Sequence, residues 1–127
     1  MNTSNPSAAQ VQEFGPADER LFEHIARQAQ QWGDAAQIGF VVGATRPEAL
    51  ARVRELAPAS WILAPGIGAQ GGDLAATLAA GLTSDGRGLI VPVSRSVIYA
   101  ADPRQAAIDL RDQINAARQN LAARLGR

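Results

Sequence analysis

Four glycines crowd the stretch Pro65-Gly66-Ile67-Gly68-Ala69-Gln70-Gly71-Gly72-Asp73, which lies between an apolar run and a helical pattern. Glycine lets a chain bend tightly and bring its N–H groups close to a bound anion. A helix that follows adds unpaired N–H groups and the positive end of its dipole. The same residues could equally form a plain glycine-rich turn. Further along, Val91-Pro92-Val93-Ser94-Arg95-Ser96 sets one arginine just past a second apolar run. On parallel strands the two turns would sit side by side, and a planar guanidinium can hold two phosphate oxygens at once. Taken alone, Arg95 would be read as half of a surface salt bridge. Its place after a strand beside the glycine-rich turn favours an anion site, because the loops after neighbouring barrel strands commonly make phosphate sites.

The rest of the composition narrows the chemistry. Twelve basic residues balance twelve acidic ones over 127 residues, so no global charge draws the chain to nucleic acid or an anionic membrane. There is no cysteine and one histidine, His24, which leaves no material for a disulfide or a histidine-built metal site. No apolar run approaches the roughly 20 residues of a membrane span. The first residues, Met1-Asn2-Thr3-Ser4-Asn5, lack the basic start and apolar core of a signal peptide, so a cytoplasmic address is expected.

The elements that must position the two turns follow from periodicity. Residues 1–127 read as a single domain, in which 1–16 form a loop and 17–127 carry the regular elements. From Asp18 a helix carries Leu21, Phe22, Ile25, Ala26, Ala29 and Trp32 on one face, and Gly33 stops it. Ile38-Gly39-Phe40-Val41-Val42-Gly43 reads as a strand. Thr45-Arg46-Pro47-Glu48 has the pattern of a capping box with proline in the first turn. That helix runs through Leu50, Val53, Arg54 and Leu56 and ends at Pro58. Trp61–Ala64 is a second strand, after which Asp73 caps a helix through Leu74, Leu78 and Gly81. Gly88–Val91 is a third strand, its end marked by Pro92, which cannot donate to a ladder. Asp102-Pro103 opens the last helix, with Ala106, Ala107, Leu110, Ile114, Ala117 and Leu121 on one face. The order α-βα-βα-βα predicts an α/β fold with parallel strands and right-handed crossovers. Pattern alone leaves open whether the sheet is open or part of a barrel; a whole eight-stranded barrel needs about 250 residues.

Val41-Val42-Gly43-Ala44-Thr45, the run Pro65 to Gly72, and Ser94-Arg95-Ser96-Val97-Ile98-Tyr99, in this order and spacing, resemble orotidine 5'-monophosphate decarboxylase, in the longer form found in some bacteria and archaea. The resemblance runs from Thr3 to about Arg118. It implies a partial (β/α)8 barrel, roughly helix five through helix eight with three parallel strands, at the C-terminal end of the family's chain. It further implies that Gln70 and Arg95 bind the 5'-phosphate of a nucleotide such as OMP or UMP, helped by N–H groups near Gly68 and from Ser94 to Arg95. Pro65, Gly66 and Ile67 would form the loop that closes over the nucleotide. Ser4 would contact the pyrimidine.

The family's chemistry is cofactor-free and rests on alternating lysines and aspartates, with an Asp-x-Lys-x-x-Asp stretch on an early strand. Fixed charges in a dry pocket supply the stabilisation. This chain contains no lysine and no such stretch, so the resemblance implies no catalytic residue here. It suggests a C-terminal portion (an expression fragment, split gene product or misread frame) that is inert alone. A nucleotide-binding module without catalysis, or a structural oligomer with a relic loop, are the competing readings. Three strands by themselves would expose an apolar face and two unpaired edges. The expected partner is the N-terminal half of the barrel or another copy of the chain, covering residues such as Phe40, Val42, Ile62 and Ile90. His24, Trp32 and Trp61 read as packing residues, and the arginines at 111, 118, 124 and 127 as a solvated helix face.

Overall fold

Strand order follows chain order. The computed structural model describes residues 3, 5–16, 18–68 and 70–125. In it β1 (Phe40–Val41), β2 (Ile62–Leu63) and β3 (Leu89–Ile90) form one parallel sheet, ordered β1-β2-β3. Phe40, Ile62 and Leu89 stand in one row across the sheet, and Val41, Leu63 and Ile90 in the next. The ladder extends beyond the strands: the Val42 N–H donates to Leu63 O at 2.9 Å and the Ala44 N–H to Pro65 O at 2.8 Å.

The segment ahead of the sheet holds a 3-10 turn, Pro6–Ala8, and α1 (Ala9–Gln12), followed by α2 (Leu21–Ala29). The crossovers are α3 (Pro47–Leu56) and α4 (Leu74–Gly81); β3 leads into the short α5 (Arg95–Ile98) and the long α6 (Pro103–Leu125). α2 packs on α3, α3 on α4, and α4 on α6. Right-handed crossovers that always step the same way put every helix on one face, so the helices form a single row. A doubly wound sheet would reverse its order and place helices on both faces. The architecture is therefore a sector of a β/α barrel.

The core lies between this row and the sheet. Phe22, Ala26 and Ala29 of α2 meet Phe40, Val42, Leu50, Val53 and Ile62, all buried. Because successive strand residues point to opposite faces, the alternate residues face away from the helices. Val41 is 44% exposed and Ile90 is 48% exposed, with Leu63 partly buried between them. This corrects the expectation for the uncovered face. Phe40, Val42 and Ile62 are already covered by the chain's own helices, and only Ile90 of the expected set lies open.

Other local expectations are also corrected. Residues 1–16 contain helical turns rather than an unbroken loop. The box at Thr45–Glu48 does not form: Arg46 occupies the N-cap without a side-chain hydrogen bond, and Pro47 sits in the first turn. The buried Thr45 hydroxyl has no hydrogen-bond partner among the described residues. One half of such a box appears instead at α2, where the Arg20 N–H donates to the Glu23 carboxylate at 3.2 Å, while the Arg20 side chain has no acceptor to complete it. Asp73 does cap α4, accepting from the Ala76 N–H at 2.8 Å, and Asp102 accepts from the Gln105 N–H at 2.9 Å. Trp32 is 71% exposed rather than packed, and Trp61 is about half exposed. Arg118 is no free surface arginine, since its Nε donates to Gly86 O at 2.7 Å. The side chains of Leu121 and Arg124, and all of Arg127, lie outside the described residues.

At the N-terminal ends of the strands a single side chain joins four elements. The half-buried Arg54 guanidinium donates to the carbonyls of Ala57, Pro58, Ser60, Gly81 and Gly88, at 2.7 to 3.2 Å. Burial pulls its pKa down from the ordinary arginine value, and Asp85 partly offsets that. This knot ties the ends of α3 and α4 to the starts of β2 and β3. It fixes the scaffold from the end opposite the turns that follow β2 and β3.

Candidate functional site

Two turns meet at the C-terminal end of the sheet. The first leaves β2 at Pro65, and the second leaves β3 at Val91. Because β2 and β3 are hydrogen-bonded neighbours, the Ala64 N–H donating to Ile90 O at 2.9 Å, the turns emerge side by side. Pro92 falls just after the last ladder bond, where a missing N–H costs nothing.

The glycine turn folds on itself. The Gly72 N–H donates to Gly66 O at 3.0 Å, and the Gly71 N–H to Gly68 O at 2.9 Å. Ile67 and Gly72 form an isolated bridge. Gly66 has a φ of 111°, a region that side chains rarely enter, and a Cβ there would lie 3.1 Å from Gln70 Oε1. The Gln70 amide is thus folded back over Gly66. Gly72 is required for a different reason, close approach: a Cβ would meet Gly66 O at 2.7 Å and the Ala44 Cβ at 3.0 Å.

The turn after β3 places its side chains by starting a helix. Ser94 is the N-cap of α5, and its carbonyl accepts from the Val97 and Ile98 N–H groups at 3.1 and 2.8 Å. Arg95 and Ser96 are the first residues of that helix, so their N–H groups have no partner within it.

Between the turns lies a cleft of about 180 Å3. Pro65, Gly66, Ile67 and Gln70 line it from the first turn, and Ser94 and Arg95 from the second. Pro92, Val93 and Ser96 complete the lining. These three do not stand out as site residues in the sequence. Ser96 could have been suspected from its place beside Arg95. Gly68 stands at the margin, a Cβ on it lying 3.9 Å from Ser96 Oγ, and its N–H donates to Gly72 O at 3.3 Å. The N–H groups of Gly68, Gly71 and Gly72 are thus bonded within the turn, while Ala69 lies outside the described residues. Ser4 lies outside the described residues.

The electrostatics are simple. Arg95 is exposed, and among the described residues no carboxylate pairs with it. The salt-bridge reading of Arg95 therefore has no partner to support it. The cleft lining contains one guanidinium, one amide, two hydroxyls and no acidic side chain, a set suited to a small oxyanion.

A row of helices over one face of a sequentially ordered parallel sheet, with a cleft at the C-terminal strand ends, defines an α/β-barrel protein. The family model for orotidine 5'-phosphate decarboxylase / HUMPS matches residues 1–110, and the chain belongs to that family. Orotidine 5'-phosphate decarboxylase of Paracidovorax citrulli is 51% identical over 91% of this chain and 46% of that protein. The enzyme of Dechloromonas aromatica is 46% identical over 89% of this chain and 45% of its own length. Among solved structures, Leishmania donovani UMP synthase superposes with a TM-score of 0.87 at 50% identity, over 92% of this chain and 26% of that one. Leishmania donovani OMP decarboxylase gives 0.84 at 47% identity, over 92% and 46%. The chain thus spans slightly less than half the length of the curated relatives it matches, and its fold is part of a TIM barrel.

Proposed function

We propose that this chain is the C-terminal, phosphate-binding part of an orotidine 5'-phosphate decarboxylase, acting in pyrimidine biosynthesis in the cytoplasm. The observation that carries the reading is the cleft in which Gln70 and Arg95 meet, built by turns from adjacent strands. Arg95 supplies charge and a two-pronged donor, and the Gln70 amide adds a neutral donor. The N–H groups at the start of α5 face no helical partner and suit the remaining oxygens.

The chain alone is inert in this reading. Decarboxylation of OMP to UMP and carbon dioxide in this family uses a carboxylate against the substrate carboxylate and a lysine to protonate the carbanion. There is no lysine in the chain. A polypeptide bearing Asp-x-Lys-x-x-Asp would supply both, while this part holds the remote phosphate. Binding energy from such a non-reacting group can help drive loop closure and so contribute to rate. The row Val41, Leu63 and Ile90, left uncovered on the sheet, is the surface that the rest of the barrel would cover.

Mixing the chain with a polypeptide that carries the remaining barrel strands, then assaying UMP formation, tests this. Activity is expected only in the mixture. No activity in a mixture shown to form a stable complex would contradict the reading, and a chain found only as complexes with itself would favour the structural-oligomer alternative.

A further inference from the structure

Thr77, on α4, is completely buried and has no place in the cleft lining. Its hydroxyl lies 2.6 Å from Asp73 O and 3.4 Å from Ala44 O. Bonding back to the carbonyl four residues earlier is an ordinary habit of helical threonine. The second acceptor is not ordinary, because Ala44 belongs to the turn after β1. That same Ala44 donates its N–H to Pro65 O at 2.8 Å, and its Cβ abuts Gly72. One hydroxyl proton serves both carbonyls, with Asp73 O on the short arm and Ala44 O on the long one, so Ala44 holds the turn directly at Pro65 and, through this shared bond, more weakly at Asp73. Gln70 lies between the two anchors.

We propose that Thr77 is a positioning residue, whose hydroxyl clamps Asp73 to Ala44 and so holds residues 65–73 in the form that brings Gln70 into the cleft with Arg95. The link to ligand binding rests on the phosphate-site reading above; the clamp itself does not.

Two substitutions separate the hydroxyl from the packing. Thr77→Val keeps the volume and loses the hydroxyl, whereas Thr77→Ser keeps the hydroxyl and loses a methyl. Amide hydrogen exchange reads turn and scaffold independently. The Gly71 and Gly72 N–H groups report the turn, and the Ile62 and Ala64 N–H groups report the β2–β3 ladder. Thr77→Val is expected to speed exchange at Gly71 and Gly72 roughly three- to tenfold beyond any change in the ladder, the size of one lost hydrogen bond. Thr77→Ser is expected to leave the turn's rates relative to the ladder as in the native chain. Equal acceleration at all four amides in Thr77→Val, or none at Gly71 and Gly72, would overturn the proposal. UMP titration of the same variants distinguishes the two levels. Native binding that weakens severalfold in Thr77→Val and is kept in Thr77→Ser supports both. Native binding untouched by either variant removes Thr77 from ligand positioning. Turn-specific exchange with no UMP binding by the native chain keeps the clamp and defeats the phosphate reading.

Discussion

Gln70 and Arg95, which come from turns after neighbouring strands and have a whole helix between them in sequence, line one cleft. β2 and β3 fix the spacing of the turns, and Gly66 lets the Gln70 amide fold back over the chain.

Substitution of the glycines should separate conformational strain from crowding. Gly71→Ala meets no atom within 4 Å and suffers only its positive φ of 82°, which costs about 1 kcal/mol. Gly72→Ala meets Gly66 O and Ala44 directly, and should cost more, about 2 kcal/mol or above. Urea denaturation that ranked the two variants in the opposite order would show that the turn is not packed as described.

Arg54 should be the most sensitive charged position in the scaffold. Its removal strips five carbonyls of a charged donor, and Arg54→Ala should destabilise the chain by about 3 kcal/mol or more. Arg54→Lys should recover little, since a compact ammonium cannot reproduce the planar fork. The midpoint of chemical denaturation measures both.

Glu23 should give the fold an acid-sensitive component. Burial by itself raises its pKa, but the Arg20 N–H and the Arg52 guanidinium outweigh burial and bring it below its ordinary value of 4.5. A carboxylate with a depressed folded-state pKa adds stability that is present above its unfolded pKa and lost as pH falls through the folded one. Thermal melts of the native chain should therefore drop below about pH 4.5. In Glu23→Gln the decline over that window should be shallower.

The uncovered face offers a further test of the assembly. Ile90→Asp puts a charge where the rest of a barrel would sit, while the helix-facing core is untouched. The variant's own melting temperature should change little. Its association with a complementary half-barrel should weaken at least tenfold, a buried unpaired charge being costly. Unaltered association in a sedimentation titration would show that this face is not the interface.

Much of this was legible in the residues. The three strands, the helices between them and the caps at Asp73 and Asp102 follow from periodicity and local hydrogen bonding. Both turns announced themselves through glycine and one arginine. What stayed hidden depends on the third dimension. Parallel strands carry apolar residues on both faces, so sequence could not tell that Phe40 and Val42 face the helices while Val41 does not. The Arg54 knot gathers carbonyls from three separate segments, residues 57–60, Gly81 and Gly88, and backbone oxygens leave no mark on residue type. Trp32 looked like the last residue of a buried helical face, but α2 ends at Ala29 and frees it. The box at Thr45 had the right letters, yet the helix begins one residue later and leaves that hydroxyl buried without a described partner.

The most direct test of the central claim is calorimetric titration of UMP into the native chain and into Arg95→Ala. If Arg95 and Gln70 converge on phosphate, the native chain binds UMP and the variant loses at least tenfold in affinity, the scale of one charged hydrogen bond. Equal affinity of the two proteins for UMP would contradict the account.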